Sequence, residues 1–127
     1  MIYGAGIDIV EVCRMEEIIR KWGDRFVARV FSKGEITYCA GCALPAAHYA
    51  ARFAVKESFL KSLGMGLGMG LSLKDIEVAN DRRGKPRVRL LGRAADILLR
   101  FGIRAVHVSI SHTRHSATAI VLLEKRI

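Results

Sequence analysis

The sequence has few prolines and cysteines and no long apolar run. Its 127 residues include two prolines and three cysteines, and aromatic residues make up 7%. Because 51% of the residues are apolar and 26% are charged, a disordered, collagen-like or low-complexity chain is excluded. The longest stretch without Asp, Glu, Lys or Arg, residues 36–51, is too short for a membrane-spanning helix and contains Pro45. The sequence therefore predicts a globular protein that is not integral to a membrane.

Features of an exported protein are also missing. The N-terminal segment has no basic region and Asp8 interrupts its apolar run, so no secretory signal is predicted. An odd number of cysteines without such a signal indicates free thiols in the reducing cytoplasm. Cys39 and Cys42 have the spacing of half a zinc site, but no second pair of ligands follows. We interpret these two residues and Cys13 mainly as small buried or partly buried side chains.

The charge of the chain is strongly positive. Lys and Arg number 21 and Asp and Glu number 12, which gives a net charge of +9. A small protein with this charge is expected to bind a polyanion, which is a nucleic acid, the phosphates of a nucleotide, an anionic membrane or an acidic protein. The length predicts one domain over residues 1–127.

Hydrophobic periodicity predicts an α+β fold in which a mainly antiparallel sheet packs against a long central helix. In the first strand, Gly4 and Gly6 would allow another backbone to approach closely. Trp22 ends the apolar stripe of the first helix, and Ser32 with Glu35 has the spacing of a capping box. The predicted elements are strands at 2–12, 105–111 and 117–124, a hairpin at 75–91, helices at 14–22, 26–31, 46–63 and 92–101, a helix beginning at Ser32, and a glycine-rich loop at 65–72.

Two acidic residues lie in apolar surroundings, where a carboxylate needs a partner. Asp8 interrupts the first strand, and Glu57 lies four residues after Phe53, on the apolar stripe of the central helix. A carboxylate in such a place is paired, binds a cation or has a raised pKa. The two acids can meet on one Mg²⁺ ion whose coordination is completed by substrate phosphates and water. The alternative is that Glu57 pairs with Lys61 one turn later and Asp8 pairs with an arginine.

Two further segments offer donors for phosphate oxygens. In the strand that ends at His112, alternation places Ser109 and Ser111 on the face opposite to its Val and Ile side chains. Hydroxyl and imidazole groups suit phosphate, although a solvated strand face has the same composition. The glycine-rich loop follows the helix that carries Lys56 and Lys61, and it can either hold phosphates or serve as a flexible connector. The loop matches neither the P-loop nor the dinucleotide-binding fingerprint.

Five motifs, in chain order, resemble those of the holo-acyl-carrier-protein synthases, the small bacterial 4'-phosphopantetheinyl transferases. The resemblance implies transfer of phosphopantetheine from coenzyme A to a serine of apo acyl carrier protein, with Mg²⁺ as cofactor and release of adenosine 3',5'-bisphosphate. It also implies the 4'-phosphopantetheinyl transferase fold and a homotrimer with active sites between adjacent subunits. The motifs are GIDIVE at 6–11 followed by Arg14, RFAVKES at 52–58 followed by Lys61, the glycine loop, GKP at 84–86 and HVSISHT at 107–113.

The resemblance also implies roles for individual residues. Asp8 and Glu57 match the metal-binding acids of the family. Glu57, Lys61 and His112 are the implied catalytic residues, and the serine proton would pass to Glu57, to His112 or to a metal-bound water. Contacts with the acidic carrier protein fall on Arg14, Arg20 and Lys21 of the first helix. The implied cofactor-binding residues are Arg52, Lys56, Lys61, Gly64, Gly66, Lys85, Pro86, Ser109, Ser111 and His112.

Two other functions use the same features of the sequence. A nucleotide or coenzyme A pyrophosphate hydrolase would need the same acids, Mg²⁺ and basic residues. A non-enzymatic nucleic-acid binder would also be basic, but aromatic residues interleaved with Lys and Arg are missing, so no nucleic-acid partner is expected. The two enzymes differ in their product, because only transfer adds mass to the carrier protein.

Overall fold

The computed structural model describes residues 1–64 and 70–127 of the chain. Its strands and helices form the predicted α+β fold. Part of the predicted loop at 65–72 lies outside the described residues. The elements are β1 (Ile2–Glu11), α1 (Val12–Val30), α2 (Lys33–Ala40), α3 (Pro45–Leu63), a 3₁₀ helix (Leu73–Asp75), β2 (Ile76–Asn80), β3 (Pro86–Leu90), α4 (Gly92–Arg100), β4 (Ile103–His112) and β5 (Ser116–Lys125).

Both sheets of the described chain are antiparallel, as the sequence predicts. The larger sheet has the strand order β1-β5-β4, and β2 pairs with β3 in a separate hairpin. One face of the larger sheet is buried, with Ala119, Val121 and Leu123 of β5 at its centre. The other face is open to solvent, and Ile7 and Ile9 of β1 are 63% and 67% exposed there. In β4, Ser109 and Ser111 lie on this outer face, opposite Ile120 and Thr118 of β5.

Helix α3 lies against the buried face of the sheet and forms the centre of the molecule. Pro45 occupies the first turn, where its missing N–H is not needed, and Gly64 ends the helix in the left-handed conformation. Ala54, Val55 and Phe59 are fully buried. Residues on nearly every side of this helix are buried, so its position fixes the elements around it.

Strand β1 crosses α3 at an unusually short distance. A Cβ atom at Gly4 would lie 2.0 Å from the backbone oxygen of Ser62, and one at Gly6 would lie 1.9 Å from the backbone oxygen of Ser58. No side chain fits there, which confirms the predicted close approach. The approach brings Asp8, two residues further along β1, next to α3.

Helix α1 consists of two segments separated at Gly23, whose φ of 58° lies outside the helical region. The segments correspond to the two helices predicted at 14–22 and 26–31. Met15 is buried in the first segment, whereas Trp22 is 57% exposed. The prediction that Trp22 belongs to the buried stripe is therefore wrong, because the helix axis changes direction at the next residue. Among the described residues, no helix is both long and apolar enough to span a membrane.

Candidate functional site

Asp8 and Glu57 line the same cavity, which has a volume of about 890 Å³. Its walls come from β1, from both segments of α1, from α3 and from the turn between β4 and β5. Phe53, one turn before Glu57 on α3, supplies part of an apolar wall. The turn is held against the start of α1 because the backbone N–H of Val12 donates a hydrogen bond to the oxygen of His115, at 2.9 Å. The fold thus brings together two acids that are far apart in sequence.

Lys61, near the end of α3, contacts the strand that carries Asp8. Its Nζ atom lies 3.1 Å from Asp8 Oδ1 and 3.0 Å from the backbone oxygen of Ile7. The alternative pairing, with Lys61 on Glu57 and an arginine on Asp8, is therefore wrong. Within the described chain, Glu57 makes no salt bridge. Burial raises the pKa of Glu57 above its usual range, the nearby Asp8 raises it further, and Lys61 opposes both effects.

The donor set of the cavity fits a hard divalent cation. Two carboxylates face one space, and the charge of Asp8 acts on Glu57 strongly enough to raise its pKa. No third Asp, Glu, His or Cys completes a metal cluster within residues 1–64 and 70–127. Mg²⁺ accepts such an incomplete protein site, because it retains water and binds substrate phosphates in its remaining positions.

A second cluster of polar side chains lies on the other flank of α3, where α2 and the end of β4 meet the helix. Arg52 is only 3% exposed, and its guanidinium group stacks over the ring of Tyr38 at 4.2 Å from the centroid. The Nε atom of Arg52 is buried and has no hydrogen-bond partner among the described residues. The rings of His48 and His112 are 5.8 Å apart in an edge-to-face arrangement. This cluster contains two of the predicted cofactor-binding residues, Arg52 and His112.

Lys56 occupies a third environment, in which the predicted contact with the cofactor is not possible. Its ammonium group is fully buried and donates to Glu35 Oε1 at 2.8 Å, to the backbone oxygen of Leu73 at 2.8 Å and to that of Ile76. All three donors of the group are used, so none is left for a phosphate. Burial lowers the pKa of Lys56, although Glu35 beside it opposes the shift.

Glu35 forms the capping box predicted from the sequence and also binds groups outside α2. It accepts hydrogen bonds from the backbone N–H groups of Ser32 and Val78, both at 2.9 Å, in addition to the bond from Lys56. The side chain of Ser32 in turn accepts from the backbone N–H of Glu35 at 3.2 Å. The pair therefore connects α2, α3 and β2 inside the core.

The other predicted nucleotide-binding residues that the structure describes do not line the cavity of Asp8 and Glu57. Lys85 and Pro86 lie at the β2–β3 turn, where Asp81 Oδ1 accepts from the backbone N–H of Lys85 at 2.9 Å. Ser109 and Ser111 are exposed on the outer face of the sheet. Gly64 is the C-cap of α3, and Gly66 lies outside the described residues.

The predicted carrier-protein residues all lie on the first segment of α1. Arg14 lines the cavity of Asp8 and Glu57, and Arg20 lines a second, smaller cavity. Lys21 lies over the ring of Trp22, with its Nζ atom 5.3 Å from the centroid. The described structure also shows site residues that the sequence interpretation missed. They line cavities of the candidate site and are Phe26, Arg114, His115 and Ser116 at the first cavity, and Trp22, Arg25, Phe26 and Arg29 at a groove on α1.

A sequence model of the 4'-phosphopantetheinyl transferase superfamily matches residues 4–120. The chain belongs to this superfamily. It is therefore an enzyme, a phosphopantetheinyl transferase, and curated relatives that are similar to it along its length are named holo-acyl-carrier-protein synthases.

Individual relatives cover almost the whole chain. A holo-(acyl-carrier-protein) synthase of Syntrophus aciditrophicus (strain SB) is 59% identical over 124 residues, which cover 98% of this chain and 97% of that protein. The crystal structure of the synthase from Neisseria meningitidis has a TM-score of 0.90 at 34% identity and covers 98% and 100% of the two chains. The synthase from Bacillus anthracis str. Ames, in complex with CoA (3',5'-ADP), has a TM-score of 0.82 at 37% identity and covers 99% of each. The predicted fold is confirmed.

Proposed function

We propose that the protein transfers 4'-phosphopantetheine from coenzyme A to a serine of apo acyl carrier protein, in a Mg²⁺-dependent reaction that releases adenosine 3',5'-bisphosphate. The observation that carries the proposal is the cavity shared by Asp8 and Glu57, with Lys61 paired to Asp8. Residues 1–127 would act as one domain. Neither nucleic acid nor a membrane takes part, and the three free thiols fit a reaction in the cytoplasm.

The two acids of the cavity would hold the metal. Bound by Asp8 and Glu57, Mg²⁺ would neutralise negative charge on the diphosphate of coenzyme A. Lys61 would act beside it. Its ammonium group has three donors, of which two are used on Asp8 and Ile7, and its side chain is 54% exposed. The third donor can therefore bind an oxygen of the diphosphate.

The reaction requires that the serine be positioned against the diphosphate of coenzyme A and that the negative charge of the diphosphate be neutralised. The serine oxygen attacks the phosphorus atom that carries pantetheine, the bond from this phosphorus to the bridging oxygen breaks, and adenosine 3',5'-bisphosphate leaves with the bond electrons. The serine proton passes to a base. Of the two side chains predicted to accept it, Glu57 lines the cavity, whereas His112 lies on the other flank of α3 in the same protomer.

The positions of the predicted binding residues support a site shared between subunits of a homotrimer. Glu57 lies on the buried side of the larger sheet, whereas Ser109 lies on its outer face. Ile7 and Ile9 are exposed on this outer face beside Ile120, and an apolar patch of this kind is typical of a surface covered by another chain. A neighbouring subunit seated there would bring residues from its own surface to the nucleotide.

The surface of α1 supports an acidic protein as the second substrate. Arg14 lies at the edge of the cavity, and a groove of about 530 Å³ on the same helix is lined by Trp22, Arg25, Phe26 and Arg29. Trp22 is exposed and Phe26 is partly buried, and an exposed tryptophan flanked by arginines is typical of a binding surface whose partner carries carboxylates. Carrier protein bound along α1 would have its serine close to the two acids.

The decisive experiment weighs the carrier protein after incubation with the enzyme, coenzyme A and Mg²⁺. We expect the mass of one phosphopantetheine group to be added to apo acyl carrier protein, and a variant of that protein with its serine replaced by alanine serves as the control. Consumption of coenzyme A without added mass would show hydrolysis and reject the proposal.

The trimer has its own test. Size-exclusion chromatography with light scattering should give the mass of three chains, and Ile9→Arg, which places a charge in the exposed apolar patch, should give smaller species with little transfer activity. A fully active monomer would reject the shared site.

A further inference from the structure

His48 belongs to the polar cluster on the other flank of α3, and the proposed transfer reaction gives it no role. It is in the first turn of α3, and Arg52 lies one turn further on the same face of the helix. Its ring is 5.7 Å from that of Tyr38 on α2 and 5.8 Å from that of His112 at the end of β4. Three elements thus bring two imidazoles, a guanidinium group and a phenol ring to one place.

In the described part of the chain, this cluster consists of positively charged and neutral groups and contains no carboxylate. The pKa of His48 is lowered by its burial first, and then by His112 and by Arg52. No carboxylate is among the charges that act on it. Arg52 is almost completely buried, yet its Nε–H has no partner among the described residues. A buried, unpaired donor of a permanently charged group is costly unless an acceptor completes it.

An anion bound in the cluster would satisfy each of these groups. It would accept from the Nε–H of Arg52 and would favour the protonated form of His48, so that the imidazole takes up a proton and becomes a second donor. A phosphate monoester suits the position because it carries close to two negative charges and three acceptor oxygens at neutral pH.

The chemistry of the proposed substrate indicates which phosphate this would be. If the diphosphate of coenzyme A lies at Asp8 and Glu57, where its bond must break, the remaining anionic group of the molecule is its 3'-phosphate. We propose that His48 is a further nucleotide-binding residue, which takes up a proton when the 3'-phosphate of a coenzyme A molecule shared between adjacent subunits binds between His48, Arg52 and His112 of one subunit while its diphosphate lies at the two acids of the other. This inference rests on the proposed function, and it assigns to His48 a part in distinguishing 3'-phosphorylated nucleotides from nucleotides without that group.

The test measures proton uptake during binding. Calorimetric titration with adenosine 3',5'-bisphosphate at pH 7, in two buffers of different ionisation enthalpy, gives the number of protons taken up by the wild-type protein and by His48→Gln and His48→Phe. Adenosine 5'-monophosphate and inorganic phosphate are the comparison ligands, which separate the 3'-phosphate of a nucleotide from phosphate in general. The ligand's own ionisation is the same for every variant, and His112→Gln shows how much of the uptake belongs to the second imidazole.

We expect the preference of the wild-type protein for the bisphosphate over the monophosphate to increase about 3- to 10-fold between pH 8 and pH 6, as an anion next to an imidazole requires. In His48→Gln and His48→Phe, proton uptake should fall and most of this pH dependence should be lost. Glutamine keeps a neutral donor, so His48→Gln should bind the bisphosphate more tightly than His48→Phe does.

Each outcome decides between two statements. If proton uptake and pH dependence in both His48 variants equal those of the wild-type protein, the inference is wrong even though the protein still binds coenzyme A. If the wild-type protein binds neither coenzyme A nor the bisphosphate, the proposed function itself fails. Should a variant not fold, the His48 resonance of the wild-type protein decides by nuclear magnetic resonance, because its titration must move to higher pH when the bisphosphate is added.

Discussion

Helix α3 carries two lysines that are five residues apart, and each pairs with an acid from a distant part of the chain. The Lys56–Glu35 pair is completely buried, with both side chains 0% exposed. The side chains of the Lys61–Asp8 pair are 54% and 21% exposed. The two pairs have the same chemistry and nearly the same geometry, with nitrogen to oxygen distances of 2.8 Å and 3.1 Å. They differ in what surrounds them.

The comparison shows how burial separates a structural ion pair from one that is available for chemistry. Lys56 and Glu35 have every donor and most acceptors occupied by the backbone or by each other, so neither can bind anything else without unfolding its surroundings. Lys61 keeps a donor, and Asp8 faces a cavity together with Glu57. An exposed pair contributes little to stability and can therefore exchange partners when a metal or a phosphate enters.

The largest effect is expected when the buried pair is broken. Lys56→Met leaves the Glu35 carboxylate buried without its cation, which should lower the free energy of unfolding by about 3–5 kcal/mol. Urea denaturation measures the loss. Adding Glu35→Gln to Lys56→Met should recover part of the stability, because an uncharged amide costs less to bury than a carboxylate. A loss below about 1 kcal/mol would show that the two pairs are equivalent.

The next largest effect is on catalysis at the acids of the open site. Asp8→Asn and Glu57→Gln should each lower Mg²⁺-dependent transfer by at least about 100-fold, because each removes a ligand of the proposed metal. Transfer is measured as the initial rate of carrier-protein modification, and circular dichroism confirms that each variant is folded. Turnover close to that of the wild-type protein in either folded variant would contradict the metal assignment.

Lys61→Met is the matched control for Lys56→Met. The same substitution at Lys61 should affect the transfer rate strongly and the free energy of unfolding only slightly. We expect the free energy of unfolding to change by less than about 1 kcal/mol, as for exposed ion pairs, and transfer to fall about 10- to 100-fold. Denaturation and steady-state rates are measured on the same preparation. If Lys61→Met destabilises the fold as much as Lys56→Met does, the contrast between the pairs disappears.

The smallest effect is on the stability of the open site without metal. The pKa of Glu57 is raised in the folded protein, so the folded form still holds a proton at a pH where the unfolded chain, with a pKa of about 4.3, has released it. The free energy of unfolding should therefore fall as the pH rises from the unfolded pKa through the raised folded pKa. Glu57→Gln should therefore be more stable than the wild-type protein at pH 7 without Mg²⁺, by less than about 1 kcal/mol because the carboxylate is partly exposed and solvent screens its charge. Added Mg²⁺ should raise the melting temperature of the wild-type protein only; an equal rise in Glu57→Gln would place the ion elsewhere.

Much of this arrangement can be predicted from local patterns in the sequence. The division of α1 follows from an interrupted helical period, the close packing of β1 follows from Gly4 and Gly6, and the capping box follows from the spacing of Ser32 and Glu35. Two acids in apolar segments indicate a site. Each of these signals depends on a few neighbouring residues, whose preferences do not change with the rest of the fold.

The different fates of Lys56 and Lys61 cannot be predicted in this way. Residues are buried around most of α3, so its hydrophobic period does not indicate which lysine faces the core. The partners of Lys56 come from α2 and from the start of β2, and only the tertiary structure brings their oxygens together. The contact between His48 and His112 likewise joins residues more than sixty positions apart.

The close crossing of β1 and α3 has a consequence for how such an enzyme can change. Gly6 lies two residues before Asp8 and packs against the backbone oxygen of Ser58, the residue after Glu57, so this contact holds the two segments that carry the acids against each other. An alanine at position 6 would therefore push β1 away from α3 and move Asp8 relative to Glu57, although it changes no reactive atom. The geometry of the proposed metal site would then depend on Gly6 as well as on Asp8 and Glu57.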